Sequence, residues 1–228
     1  MEKIVILILT FSTLAFTKNI GNVIEKDTII SEDMIIEEGK TLTINPGVSI
    51  KFNGYYSIKV SGLIMFEGTA EKPILITALD RARGDSNWPG WKGFDIRGKN
   101  ADALIRNCRI EGAYRNIIYN TRPIIDSCEF VGNHEAIRCV ASAVPHIKNC
   151  TIYRNKYGIV VDNSTPMLLD NLITDNKIGV YTQLNASMIA GRNIIENNES
   201  DITADKSLGK NKNRTEIKQV WDIMRELY

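Results

Sequence analysis

The sequence predicts an all-β solenoid, a parallel β-helix of 20–22-residue rungs, followed by a short C-terminal α-helix. The first observation is an internal repeat between Leu104 and Ile202. Cys108, Cys128, Cys150, Asn171 and Asn193 share one position, and Ile110, Phe130, Ile152, Ile173 and Ile195 follow two residues later. Ala113, Asn133, Asn155, Asn176 and Asn198 come next, spaced 20, 22, 21 and 22 residues apart. Ile117, Ile137, Ile159, Val180 and Ile202 complete the copies. A fixed period near twenty residues marks stacked units, none able to bury its apolar face alone. The second observation is local pattern. Apolar residues come in short β-branched bursts such as "PHIKNCTI" and "YGIVV", without sustained i, i+3, i+4, i+7 spacing. The third is punctuation by Asn-x-x-Gly (Asn155 to Gly158, Asn176 to Gly179) and by Pro123, Pro145 and Pro166. Gly and Asn tolerate positive φ and Pro fixes φ, so each copy breaks into three strands and three turns. With no helical segment and little Leu, a leucine-rich repeat fits worse.

Rungs of a parallel solenoid lie about 4.8 Å apart, so aligned residues become neighbours along the axis. In this alignment Arg106, Asp126 and Lys148 stack as plus, minus, plus, and Arg109 stacks on Glu129. Opposite charges at neighbouring strand positions stabilise a sheet, and a slip of one residue would lose both sets.

The phrases "PIIDSCEFVGNHEAI", "PHIKNCTIYRNKYGIVV" and "PMLLDNLITDNKIGVY" resemble the right-handed parallel β-helix repeat proteins of bacterial envelopes and secretions, the pectate-lyase-like group. Upstream, "LTINPGVSIKF", "VSGLIMFEGTAEKPILITA" and "WKGFDI" resemble the opening coils of such proteins, extending the likeness to about residues 28–202. The resemblance and the crossover rule imply a right-handed winding. The family includes lyases, hydrolases, adhesins and inert surface proteins, so it leaves function open.

Taken in order, residues 1–17 read as a signal peptide: Lys3, an apolar run from Ile4 to Phe16, then Ala15 and Thr17 before a cleavage point ahead of Lys18. Export to the periplasm, cell surface or medium follows as an expectation. A retained anchor is the alternative. Residues 18–205 form the β-helix, with Ile20 to Ile36 expected to cover its open end, because a bare strand edge invites aggregation. The net charge of +1 provides no basic field for nucleic acid.

Between Asp80 and Gly90 the rhythm is interrupted by "DRARGDSNWPG". Loops thrown out from a rigid scaffold commonly carry binding. Here Trp88 is a candidate for stacking on a sugar ring, and Arg81, Arg83, Asp85 and Asp95 for bonding its hydroxyls. Trp91 is expected to pack beneath the loop. Cys108, Cys128 and Cys150 are expected to point inward as free, apolar-filling thiols, with Cys139 on another face. Their spacing matches no zinc motif, and no metal site is predicted.

Polysaccharide-cleaving β-helices use clustered carboxylates, in pairs for hydrolysis or holding Ca²⁺ for β-elimination. The sequence offers acids that are dispersed or aligned with bases, and lacks the Asn-Thr-Asp, Asp-Asp and His-Gly motifs of polygalacturonases. His134, Glu135 and Arg138 are the best local acid–base candidates, with a solvated turn as their plainer reading. Ca²⁺ enters only if the chain is a lyase, and no other cofactor is expected. The Asn133, Asn155, Asn176, Asn198 series reads as an amide ladder along the axis.

Residues 206–228 comprise a basic linker and an expected amphipathic helix from Arg214 to Tyr228. Ile217, Val220, Trp221, Met224, Leu227 and Tyr228 fall on one face of it. Self-capping of the last rung is the first expectation, and docking to a membrane or protein partner the second. The functional expectation is an exported, non-catalytic β-helix presenting a polysaccharide-binding face. A polysaccharide lyase or glycosidase, and a structural or adhesive surface protein, are the alternatives.

Overall fold

The computed structural model describes residues 22–80, 90–205 and 216–219. Every element among them is a β-strand, and the strands form three sheets of nine, eight and eight strands. Successive strands enter the first, second and third sheet in turn, and each pairs in parallel with the strand one rung earlier. This is a parallel β-helix of eight rungs, with a ninth strand added to the first sheet.

Strand alternation sends every second side chain inward. The first sheet stacks Ile44, Phe66, Ile105, Ile125, Ile147 and Leu168 in one internal column. The second stacks Ile76, Ile110, Phe130, Ile152 and Ile173. These residues are almost wholly buried and form one continuous core. Cys108, Cys128 and Cys150 line the corner between those sheets as buried free thiols, and Cys139 is buried on the third sheet. Trp91 is fully buried, stacked on Phe52 with ring centroids 4.7 Å apart, and donates Nε1–H to the Glu111 carbonyl at 2.9 Å.

The amide ladder holds the corner between the second and third sheets. Asn133 Nδ2 donates to Asn155 Oδ1 (3.0 Å), Asn155 Nδ2 to Asn176 Oδ1 (2.9 Å), and Asn176 Nδ2 to Asn198 Oδ1 (2.9 Å). The left-handed residue of this corner is the one before the ladder: Gly132, Arg154, Asp175 and Asn197 all have positive φ. Gly158 and Gly179 lack positive φ, contrary to the turn role expected of them. They are small because a Cβ on Gly158 would meet the Gly179 carbonyl oxygen at 2.4 Å, and one on Gly179 the Asp201 oxygen at 2.7 Å.

Three expectations need correction. Asn22–Ile24, Thr28–Ile30 and Met34–Ile36 are the three strands of the first rung, so this segment extends the solenoid where a cover was expected. Ile117 pairs with Arg138, and Ile118 takes the inner position beside Cys139, because an irregularity between Arg115 and Ile117 offsets the register by one residue. Glu216–Gln219 is a parallel strand against Ser187–Gly191, where the sequence suggested a helix. Helical apolar spacing and the inside–outside alternation of a strand cannot be told apart over four residues. Residues 1–17 and the rest of the expected helix lie outside the described residues.

Candidate functional site

The outward face of the third sheet, at its edge nearest the amide ladder, gathers a row of aromatic rings and a chain of ion pairs. The ladder places them. Asn133 is buried and bonded both ways, so the next residue, His134, leaves the corner at a fixed angle. Its imidazole lies 4.7 Å from the Tyr114 ring of the preceding rung and 5.7 Å from the Tyr157 ring of the following one. Tyr157 lies 5.5 Å from Tyr181, and Tyr55 extends the row at 6.3 Å from Tyr114. Cations accompany the row, with Arg115 over Tyr114 at 4.7 Å, Lys156 over Tyr157 at 5.6 Å and Lys92 over Tyr55 at 5.4 Å.

Beside the rings runs an ion-pair chain. Glu135 is 4% exposed and receives Arg115 Nε at 3.0 Å on one carboxylate oxygen and Arg138 Nη1 at 3.4 Å on the other. Arg138 Nη2 continues to Asp162 Oδ2 at 3.0 Å and Gln183 Oε1 at 3.1 Å. Burying a carboxylate is costly unless partners replace its water, and here two guanidinium groups do so. His134 is driven the other way. Burial, then the charges of Lys156 and Arg115, lower its pKa to about 4, so the imidazole is neutral near pH 7. Its Nδ1 stands 3.9 Å from Glu135, too far for a hydrogen bond, while Nε2 meets Lys156 Nζ at 3.2 Å.

The structure brings His134, Glu135 and Arg138 together, with Glu135 buried where the plainer reading of the sequence expected a solvated turn. It adds Tyr114, Arg115, Tyr157, Asp162, Tyr181 and Gln183, which sequence reasoning passed over. A signal was there: aligning the residue after each ladder position sets Tyr114 against His134 in adjacent rungs. Asp95 belongs to the same outer face, paired with Arg97 and sharing a column with Ile117 and Arg138. Trp88, Arg81, Arg83 and Asp85 lie outside the described residues. Among the described residues no three His, Cys, Asp or Glu side chains converge as metal ligands.

Three parallel sheets wound into a β-helix define the class. The chain matches the family described as the right handed beta helix region over residues 86–200, and the pectate-lyase like beta helix domain over residues 17–102. It belongs to the right-handed β-helix family. Among solved structures it is similar to the mannuronan C-5 epimerase AlgE4 A-module of Azotobacter vinelandii, at 10% identity over 87% of each chain with a TM-score of 0.31. So low a score carries no argument about function. No curated protein matches the chain.

Proposed function

We propose that this chain is an exported, non-catalytic β-helix that binds polysaccharide along the outer face of its third sheet. The observation that carries this reading is the row of Tyr114, His134, Tyr157 and Tyr181 flanked by the Arg115–Glu135–Arg138–Asp162 chain. Pyranose rings offer apolar C–H faces to aromatic rings and hydroxyl groups to charged, planar partners. A row that places one ring on each rung suits a ligand that repeats along its own axis.

Binding is favoured over cleavage by the state of the acids and bases. Glu135 and Asp162 are both engaged by arginine, and Asp95 by Arg97. General acid–base work calls for a group with its pKa near the working pH. His134 at about 4 is a poor acid because it is already deprotonated, and a weak base. Export rests on the sequence of residues 1–17, and mass spectrometry of the protein from its host tests it: an intact Met1 in the cytosol refutes it.

The function is tested by incubating the full chain with neutral and acidic polysaccharides, with and without Ca²⁺. Retention on one polysaccharide without products is the expected result. New reducing ends, or unsaturated sugars from elimination, would overturn the non-catalytic reading. Tyr157→Ala should then weaken binding about ten- to hundredfold, by analogy with the 1–3 kcal/mol that a base stacked on an aromatic ring contributes in nucleic-acid sites. If Trp88→Ala abolishes binding and Tyr157→Ala leaves it intact, the ligand sits at the Asp80–Gly90 loop and not on this face.

A further inference from the structure

We propose that the outer face of the first sheet is a two-fold, antiparallel interface with a second copy of this chain. The face carries a mostly apolar column, in which Met65, Leu104, Ile124, Met167 and Ile189 are half-buried or exposed and His146 is the one polar member, in register across six rungs. Ile124 is 37% exposed, and Val23, which lies beyond Thr43 at the N-terminal end of the same column, is 50% exposed. Water-facing apolar side chains scattered singly need no explanation, but a straight column of them is a patch. It lies opposite the sheet's buried column, so the core gains nothing from it.

The second observation chooses the occupant. Beside the apolar column runs a charged one, Glu67, Arg106, Asp126 and Lys148, which alternates in sign from rung to rung. Within one chain Arg106 reaches Glu67 at 3.5 Å and Asp126 at 3.6 Å, and Lys148 reaches Asp126 at 3.4 Å. Glu67, Arg106 and Lys148 keep 45%, 41% and 40% of their side chains exposed, whereas Asp126 is 15% exposed and is also held by Ser127 and Asn149, so in the pairing below it acts through its charge. A column of four alternating charges is self-complementary when reversed. A two-fold axis lying in the interface, perpendicular to the solenoid and midway between the Arg106 and Asp126 rungs, sets Arg106 against Asp126 of the other copy and Glu67 against Lys148. The same axis lays Leu104 on Ile124, Met65 on His146, Thr43 on Met167 and Val23 on Ile189. A parallel arrangement would oppose the charged column to the uncharged side of the sheet and gain none of this.

Shape and size agree. A hollow of about 240 Å³ lies between Ile124, His146, Met167 and Leu169. The axis brings Met65 of the second copy to its edge, and an unbranched thioether adapts to such gaps. Eight rungs at about 4.8 Å, and three columns of outward residues at about 6.6 Å, give roughly 1,500 Å² counted over both copies. That falls within the range of about 1,200–2,000 Å² typical of specific interfaces. An apolar centre with a polar rim is their usual anatomy, and an isologous contact closes at two copies without leaving a growing edge.

The experiment measures the mass of the full chain by sedimentation and then tests the register by cross-linking. The unaltered chain is expected to sediment as two copies. Ile124→Arg should sediment as one copy while retaining its strand circular dichroism, because residue 124 points into solvent in the isolated chain. Leu172→Arg, the same change on the outer face of the second sheet, should remain two copies. For the register, Met65→Cys and His146→Cys are prepared separately and mixed under oxidation. The mixture should form a disulfide-linked pair, and Met65→Cys alone should not, since the two Met65 residues would lie about three rungs, or ~14 Å, apart. The buried native thiols should not compete. A single-chain mass at high concentration, a dimer insensitive to Ile124→Arg, or cross-linking of Met65→Cys to itself would each overturn the proposal.

Discussion

Asn155→Ala should be among the most damaging single changes in this protein, although it removes no apolar contact. Asn155 is 4% exposed. Its Oδ1 accepts from the Asn133 amide at 2.8 Å and from Asn133 Nδ2 at 3.0 Å, while its Nδ2 donates to the Phe130 carbonyl at 3.0 Å and to Asn176 Oδ1 at 2.9 Å. Alanine keeps the main-chain bond from residue 155 to Asn176 Oδ1, so that acceptor stays satisfied. The Asn133 amide, one Asn133 Nδ2 proton and the Phe130 carbonyl lose a partner in a corner closed to water. At about 1 kcal/mol for each bond made, and 1–3 kcal/mol for a buried group left without one, the loss is about 4 kcal/mol. Asn198→Ala, at the half-exposed end of the ladder, should cost only about 1 kcal/mol because water replaces the amide. Asn155→Asp should be no better than alanine at neutral pH, since a carboxylate faces the Phe130 and Asn176 oxygens with no proton to donate. The assay is equilibrium urea unfolding followed by circular dichroism and tryptophan fluorescence together, with coincident transitions required before a free energy is taken. Equal losses at positions 155 and 198, or a loss below about 1 kcal/mol at 155, would refute the ladder as a source of stability.

Two further outcomes follow from titratable groups shielded from water, the inward thiols and His134 on the outer face. Burial raises the Cys139 thiol to about 12, and neighbouring thiols together with burial raise Cys128 and Cys150 well above the ordinary value. Because the thiolate is the nucleophile, the native chain should resist a thiol-specific disulfide reagent at pH 8, whereas the unfolded chain should release four equivalents; fast native labelling would refute the inward ladder. His134 has a folded pKa of about 4, below its ordinary value of 6.5, so the unfolded state takes up the proton first. Its contribution is therefore complete above pH 6.5 and declines as pH falls toward 4, by about 2 kcal/mol once partial exposure is allowed for. His134→Gln should flatten stability over that window, and an unchanged slope would show that the imidazole protonates freely in the fold.

Much of this architecture was legible because a solenoid turns sequence period directly into contact. The inward columns, the stacked thiols, the amide ladder, the burial of Trp91 and the Arg106–Asp126–Lys148 column all followed from aligning copies. Glu67 did not, although it completes that column. It stands 39 residues before Arg106 because the insertion after Asp80 interrupts the period. Ile117 was misaligned for a related reason: the strand Glu135–Val140 carries one more residue than the strand before it can match, and apolar Ile117 and Ile118 fit the inner position equally well. The candidate face was half visible. His134, Glu135 and Arg138 are adjacent in the chain, whereas Tyr181 and Gln183 meet them only across rungs, at positions that follow no single column. The glycines were noticed for the wrong property, since close approach to a neighbouring rung's carbonyl leaves no trace in a one-dimensional pattern.

The register offset before Glu135 links scaffold to site. Arg115 pairs with Glu135, but two residues later Ile117 pairs with Arg138, so three residues after Glu135 do the work of two. In a strict repeat Ile118 would oppose Arg138 and send its guanidinium into the column now held by Ile118, Cys139 and Val161. The extra residue turns Arg138 outward, beside Glu135 and toward Asp162, and later rungs keep the offset, with Tyr157 opposite Glu135 and Val160 opposite Arg138. That lengthened spacing requires a small residue in the gap. Ala136, Gly158 and Gly179 fill it in successive rungs, and a Cβ at either glycine would come within 2.4 or 2.7 Å of the next rung's carbonyl oxygen. A bulge re-aims side chains at a cost in regular pairing. Here it gathers the ion-pair chain on one face, next to a ring row that the amide ladder has already set. The polar strip is thus a product of the place where the repeat changes its count, and a Gly158→Ala substitution should disturb Arg138 and Tyr157 together, because both depend on the same narrow gap.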